Sequence, residues 1–324
     1  MDAREELLRE FIKNNSISEN DMQLIETDAS FRKYYRINKN NVLIMDAPNE
    51  RGESVKSFQI IDKILSEMGI SVPAIHCIDE KNGFILLEDL GDQVFSRILN
   101  SDNEYELYKN AIAVLAHIYL ESIKKKFDNK KIYSFSIDIL IEEASLFYEW
   151  FLEKHCKISL VNEEKIEYQE IFKKIFYEID FTSSSLVLRD YHVDNLILLK
   201  NRKGINQVGV IDFQDALIGS NAYDLVSLLE DVRRPIKTTL KEKLIEEYID
   251  LTGYDLRRLL QEMRYFSIQR NLKIIGIFSR LKYRDGKPQY MELINNAWNF
   301  IYSHLEDPSF IELKTWIFEY RRKF

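Results

Sequence analysis

Ser185–Leu199 and Val208–Ala216 read S-L-V-L-R-D-Y-H-V-D-N-L-I-L-L and V-G-V-I-D-F-Q-D-A. Two short apolar runs, Leu186–Leu188 and Val208–Ile211, each deliver a carboxylate, Asp190 and Asp212. Asn195 stands five positions after Asp190 and opens a third apolar run, Leu196–Leu199. Short apolar runs bounded by polar residues predict strands joined by tight loops. An aspartate at the start of such a loop can accept the proton of a substrate hydroxyl, and the later asparagine offers an uncharged oxygen to Mg2+. Asp212, one hairpin on, would then be the charged metal ligand. Any one of the three could be an ordinary turn residue. Their order between strands points to phosphoryl transfer.

Composition bounds the rest. The chain has 324 residues, 45% hydrophobic and 30% charged, enough for a large core and for two lobes;. Net charge is −8, from 53 acidic and 45 basic residues, which argues against a general nucleic-acid binder;. Anionic small molecules remain compatible with it, because local sites can be basic. The two cysteines, Cys77 and Cys156, form neither a bridge framework nor a ligand cluster, as suits a reducing cytoplasm;. M-D-A-R-E-E-L-L-R-E reads as a charged helical start rather than a signal peptide, and no apolar run is long enough to cross a bilayer;.

Outward from the central stretch, the pattern divides near Glu88–Asp92. Before it, a helix is expected over 3–13, with Leu7, Leu8, Phe11 and Ile12 on one face;. Strands are expected at Met22–Glu26, Tyr34–Ile37 and Val42–Met45, then a helix at Glu53–Met68 closed by Gly69;. Two more strands, Ala74–Ile78 and Phe84–Leu87, flank the turn D-E-K-N-G;. After the break the chain turns helical. Helices are marked by Tyr108, Ile112, Leu115 and Tyr119, then by Leu140, Ala144, Phe147 and Phe151, and by 166–179. Past the central hairpins come 221–232, 238–251, 255–282, 289–305 and 309–322.

Several residues near the centre carry two readings. Arg189 either neutralises charge beside Asp190 or pairs with a structural carboxylate. His192 is either an acid/base group or metal ligand, or a neutral imidazole that braces the loop. Asp215 either faces metal or substrate or caps a turn. Asp224 sits at an expected helix start, where a carboxylate favours the positive helix end, and is assigned to structural support.

R-D-x-x-x-x-N followed by I-D-F resembles the catalytic loop and metal-binding triplet of protein kinases;. It is still more similar to the aminoglycoside-phosphotransferase and choline-kinase branch. The resemblance implies an α+β, bilobal, protein-kinase-like fold with ATP and Mg2+. The small lobe would be a five-stranded antiparallel N-lobe with one helix, residues 1–91, and the larger a mainly helical C-lobe, 92–324. It assigns Asp190 as catalytic base and Asn195 and Asp212 as metal ligands. F-I-L-L-E-D-L-G-D resembles the hinge that holds adenine by its backbone, at Glu88 and Leu90. T-D-A-S-F-R-K sits where a phosphate-covering loop belongs but contains no glycine, so Ser30 and Arg32 are assigned to the phosphates;. The third strand ends V-L-I-M-D, with Met45 near the place of the usual phosphate-binding lysine. Arg32, Lys33 and Arg36 are the cations that could replace it.

The segments D-A-S-F-R-K-Y-Y-R, V-I-D-F-Q-D-A and R-N-L-K-I-I-G-I-F-S-R-L resemble, within that family, the bacterial anomeric kinases of N-acetylmuramate and N-acetylglucosamine in peptidoglycan recycling. This implies transfer of the ATP γ-phosphoryl group to the C1 hydroxyl of an amino sugar. Asp215 and Arg270 are assigned to the sugar, with Arg233, Arg234 and Lys273 as further candidates for an acceptor carboxylate. No nucleic-acid or membrane partner is expected. Alternatives are a kinase of choline, homoserine, methylthioribose or an aminoglycoside, or an inactive kinase fold used for binding.

Overall fold

The computed structural model describes residues 3–25, 32–37, 41–48, 55–125, 127, 132–177 and 185–321. It has the expected α+β, protein-kinase-like architecture, with a five-stranded antiparallel N-lobe sheet and a mostly helical C-lobe. By compactness the chain forms one unit of Met1–Val114 with Val193–Ala216 and another of Leu115–His192 with Leu217–Phe324.

The first unit is built on β1 (Met22–Ile25), β2 (Lys33–Ile37), β3 (Val42–Asp46), β4 (Ile75–Asp79) and β5 (Phe84–Glu88), in the order β1-β2-β3-β5-β4. Register pairs Tyr34 with Met45 and Met45 with Ile85, and Met45, expected near the place of the usual lysine, is buried in the core. Helix α1 (Ala3–Asn14) covers this sheet. Leu8, Phe11 and Ile12 recur at helical spacing and join Ile37, Val42, Ile44 and Phe84 in one apolar cluster;. Phe11 stacks on Phe84 at 5.3 Å, and Arg4 lies over the same ring while pairing with Asp46. Gly83 closes the β4–β5 turn at φ +74°, where a Cβ would fall 2.1 Å from the Ala47 carbonyl oxygen;.

Helix α2 (Val55–Glu67) buries Phe58, Ile61 and Leu65, and Phe58 packs on Phe213 at 4.8 Å. That contact fixes the residue after Asp212. Asp62 lies on the same face at 7% exposure, with one carboxylate oxygen unpartnered. Burial pushes its pKa up to about 7;. Between the ordinary value of 3.8 and about 7, the folded chain keeps this proton while the unfolded chain has lost it. The stability that Asp62 contributes below the lower value is therefore lost as pH rises through the upper one. Asp62→Asn should raise the unfolding free energy by about 1–3 kcal/mol at pH 8 and change it little at pH 4. Urea unfolding at the two pH values checks this, and an equal change at both would contradict it.

The second unit is organised on α9 (Leu256–Asp285), which is capped by Asp255 and ends at Gly286 in the left-handed region;. It packs against α5 (Ile137–Leu146), the π-helical continuation of α5 over Phe147–His155, α7 (Ala222–Leu229) and α10 (Ile294–His304). A Cβ on Gly276 would fall 2.3 Å from the Leu146 carbonyl carbon. The glycine of R-N-L-K-I-I-G-I-F thus lets α9 lie directly on the α5 backbone. The remaining elements are α3 (Phe95–Ile98), α4 (Glu104–Lys124), α6 (Asn162–Tyr177), α8 (Thr238–Thr252), α11 (Ile311–Arg321) and four short strands. Of those strands, β6 (Ser185–Val187) pairs with β9 (Leu217–Gly219), and β7 (Leu196–Leu198) with β8 (Val208–Val210). No helix among the described residues is long and apolar enough to cross a membrane.

Candidate active site

The first unit holds Asn195 and Asp212, the pair assigned to the metal. Hairpin β7–β8 is pinned at both strands. The Leu198 N–H donates to the Gln93 carbonyl, and the Val210 N–H to Ser71, each at 2.8 Å. At its open end the Ile211 N–H donates to the Asn195 carbonyl at 3.1 Å, which sets Asn195 beside Asp212. Asn195 Nδ2 then lies 3.4 Å from Asp212 Oδ2. Asp212 itself has φ +60°, a costly conformation for a residue with a Cβ, kept where the surroundings over-determine it;. Phe58 against Phe213 is one such constraint.

Asp212 Oδ1 accepts from Arg32 Nη1 at 3.0 Å and from Gln214 Nε2 at 3.1 Å. Gln214 Nε2 also donates to Asp215 Oδ2 at 3.1 Å, and Arg32 Nη2 lies 3.9 Å from the same oxygen. Arg32, Asn195, Asp212, Gln214 and Asp215 therefore form one cluster. Its oxygens suit a hard divalent cation. Among the described residues no group of three or more His, Cys, Asp or Glu could cage a metal. One carboxylate with one amide matches Mg2+, which usually completes its shell with water and substrate phosphates.

The second unit holds the proposed base. The Asp190 N–H donates to the Leu188 carbonyl at 2.9 Å, two residues back, with Arg189 between them at φ +70°. This is a strained γ-turn. Four bonds hold it. Asp224 accepts the Leu188 N–H at 2.7 Å and the Arg189 N–H at 2.9 Å. The Ser227 hydroxyl donates to the Arg189 carbonyl at 3.3 Å, and the Arg189 guanidinium pairs with Glu143 of α5. Of the two readings of Arg189, the geometry has it paired with a buried carboxylate.

Glu143 is the hub of this half. It also accepts from Lys273 Nζ at 2.7 Å and from Gln269 Nε2 at 3.1 Å, both on α9. Burial opposes its charge, but Lys273 and Arg189 hold its carboxyl below the ordinary glutamate range. Asp190 behaves alike. Desolvation works to raise its pKa, yet the cations Lys273, Arg270 and Arg189 outweigh that, and the carboxyl lies below the usual aspartate value;. Burial lowers the His192 pKa, which leaves a neutral imidazole at pH 7. Burial pushes Asp224 up to about 7, against the pull of its two backbone donors.

Arg270 is 7% exposed and donates to the Ser227 hydroxyl at 2.7 Å. Lys273 is committed to Glu143 and lies 3.4 Å from the Tyr223 hydroxyl. Arg233 pairs with Asp231 at 3.5 Å. Of these three, Arg270 has no carboxylate partner among the described residues. In the hinge segment, Glu88 pairs with Arg202 at 2.8 Å, and its N–H donates to the Ala74 carbonyl. Leu90 is buried over Gly209 of β8. Arg36 is bound by Asp89 and Asp92 at 2.5 and 2.7 Å, as Arg32 is by Asp212. Ser30 lies outside the described residues.

Glu143, Gln269, Ser227 and Gln214 belong to these clusters, and sequence reading did not single them out. Gln214 stood inside the central motif. Glu143 carried a signal of its own, a charge one residue before Ala144 on the face marked by Leu140, Ala144 and Phe147. A cavity of about 410 Å3 between α8, α9 and α10, lined by Glu230, Lys241, Met263 and His304, contains none of the assigned residues.

Residues 21–260 match the model of a family described as "Phosphotransferase enzyme family". An N-acetylmuramate/N-acetylglucosamine kinase of Pseudomonas putida is 30% identical over 299 residues, 89% of this chain and 85% of that protein. One of the same name from Caulobacter vibrioides is 31% identical over 262 residues, 79% and 72% of the two chains. Among solved structures, the ADP-bound aminoglycoside phosphotransferase APH(2'')-Ib shares 16% identity with a TM-score of 0.64, covering 96% of this chain and 99% of that one. Choline kinase LicA from Streptococcus pneumoniae gives 13% and 0.64, covering 92% and 99%. These structures share its fold. With the family model spanning the five-stranded sheet and the β7–β8 hairpin, the chain belongs to the phosphotransferase enzyme family.

Proposed function

We propose that this phosphotransferase moves the γ-phosphoryl group of ATP to the anomeric hydroxyl of N-acetylmuramate, N-acetylglucosamine or both, in the cytoplasm, as a step of cell-wall sugar recycling. The observation that carries the choice of acceptor is the shared name of relatives about as similar as 30% over 89% of the chain. The nucleotide is assigned to residues 1–91, with the hinge at Glu88 and Leu90 and Ser30 and Arg32 at the phosphates. The acceptor is assigned to 92–324.

In this reading the acceptor oxygen forms a bond to the γ-phosphorus as the bond to the β–γ bridging oxygen breaks, and ADP leaves. Asp190 takes the hydroxyl proton. It is ionised and ready to do so because Lys273, Arg270 and Arg189 surround it. Asp224 and Glu143 keep it in place through the γ-turn. Asn195 and Asp212 would hold Mg2+, which offsets phosphate charge when bound.

The same cations separate the acceptor classes. Lys273, Arg270 and Arg189 around Asp190 disfavour a quaternary ammonium such as choline and favour an acceptor bearing a carboxylate. Arg270, lacking a carboxylate of its own, is the assigned partner for the lactyl group of N-acetylmuramate, with Asp215 on the sugar hydroxyls. Steady-state kinetics over a panel of acceptors tests this. Glucose should have a kcat/KM about 10²-fold or more below that of N-acetylglucosamine, because a site built to hydrogen-bond the acetamido group rejects an analogue without it. Arg270→Ala should harm N-acetylmuramate more than N-acetylglucosamine. Equal losses would clear Arg270 of that role, and turnover of choline but no amino sugar would overturn the acceptor assignment.

A further inference from the structure

The guanidinium of Arg32 already sits on the carboxylate assigned to the metal. Its Nη1 is 3.0 Å from Asp212 Oδ1, its Nη2 is 3.9 Å from Asp215 Oδ2, and its side chain is only 10% exposed. Gln214 Nε2 bridges the same two carboxylates at 3.1 Å each. Asn195 faces Asp212 Oδ2 with its Nδ2, the donor end of the amide as assigned, at 3.4 Å;. Asp212 is thus met by N–H donors on both oxygens. A divalent cation would compete with those donors for the same oxygens, and two cations on one carboxylate repel each other.

We propose that Arg32 is an exchangeable internal cation: it holds Asp212 and Asp215 in the unliganded chain and is released by the entering metal. The proposal rests on the reading of Asn195 and Asp212 as metal ligands. Two features make Arg32 suited to exchange rather than to permanent structure. The opposing carboxylates are open to solvent, with Asp212 and Asp215 side chains 44% and 55% exposed, so either cation can reach them. Met45 fills the place of the strand lysine, so the phosphates that arrive with the metal need a cation. A guanidinium freed from Asp212 is one, and its planar fork suits phosphate oxygens. Arg32 thereby orders the steps. Nucleotide without metal meets a cation already paired, and metal with nucleotide exchanges the pairing.

The test uses the full chain with Mn2+ alone and with Mn2+ plus ADP, read by the electron paramagnetic resonance signal of free Mn2+. Arg32→Ala should bind Mn2+ alone about three- to tenfold more tightly than the parent, the size expected for removing one partly exposed ion-pair competitor. The same variant should bind ADP in the presence of Mn2+ more weakly than the parent. Arg32→Gln, which keeps length without charge, should show both changes and serves if the alanine variant does not fold. Mn2+ affinity unchanged or reduced in these variants overturns the exchange. That result would leave the kinase reading standing if amino-sugar turnover persists. Absence of turnover in the parent chain would sink the kinase reading without altering the Mn2+ comparison.

Discussion

Asp190→Asn is expected to lower kcat by about 10²–10⁴-fold and leave ATP affinity within about twofold of the parent chain. The loss is large because the amide cannot take a proton from the acceptor hydroxyl. Nucleotide binding is spared because Arg32, assigned to the phosphates, and Asn195 and Asp212, assigned to the metal, form one cluster in the other compact unit. Asp212→Asn should behave differently. It removes the carboxylate assigned to the metal, so it should weaken Mg2+–ATP binding by about tenfold or more as well as lower kcat. Calorimetric titration of each variant with Mg2+–ATP, beside single-turnover rates, separates the two. Near-parental kcat in Asp190→Asn would remove it from the role of base. Unchanged Mg2+–ATP affinity in Asp212→Asn would remove that residue from the metal.

Blocking O1 of the sugar should abolish turnover. An anomeric hydroxyl is more acidic than an ordinary alcohol, so a base held below the usual aspartate range can still take its proton late in the reaction;. Selectivity then depends on holding the ring so that O1 lies in line with the γ-phosphorus. The 1-O-methyl glycoside of N-acetylglucosamine keeps the acetamido group and the other hydroxyls. Its rate should fall below about 10⁻³ of that of the free sugar, since no other oxygen shares the alignment. Turnover of the glycoside at the parental rate would show another hydroxyl to be the acceptor.

The catalytic hairpins were legible because their apolar runs are short and bounded by polar turns. Strands expected at Leu196–Leu199 and Val208–Ile211 appear at Leu196–Leu198 and Val208–Val210. Strand β9, Leu217–Gly219, was not expected. Three residues of D-A-L-I-G-S carry no alternation, and the strand exists because β6 offers it a partner;. The π-helical turn after α5 was also hidden, since Leu140, Ala144, Phe147 and Phe151 keep the spacing of a plain helix across it;. Asp190, Asn195 and Asp212 stood out by order and type. Glu143 and Gln269 did not, because they come from helices far away in the chain and only packing joins them to the loop; Lys273 stood out only as a candidate for an acceptor carboxylate. Gly276 had a readable identity but not a readable reason until Leu146 was found against it.

Phosphorus NMR of the product made from ATP, Mg2+ and N-acetylglucosamine tests the central claim most directly. The account predicts a sugar phosphate whose phosphorus couples to the anomeric proton H1, formed with one ADP per sugar. A phosphorus coupled instead to the protons at C6, or ADP formed with no sugar phosphate, would contradict it.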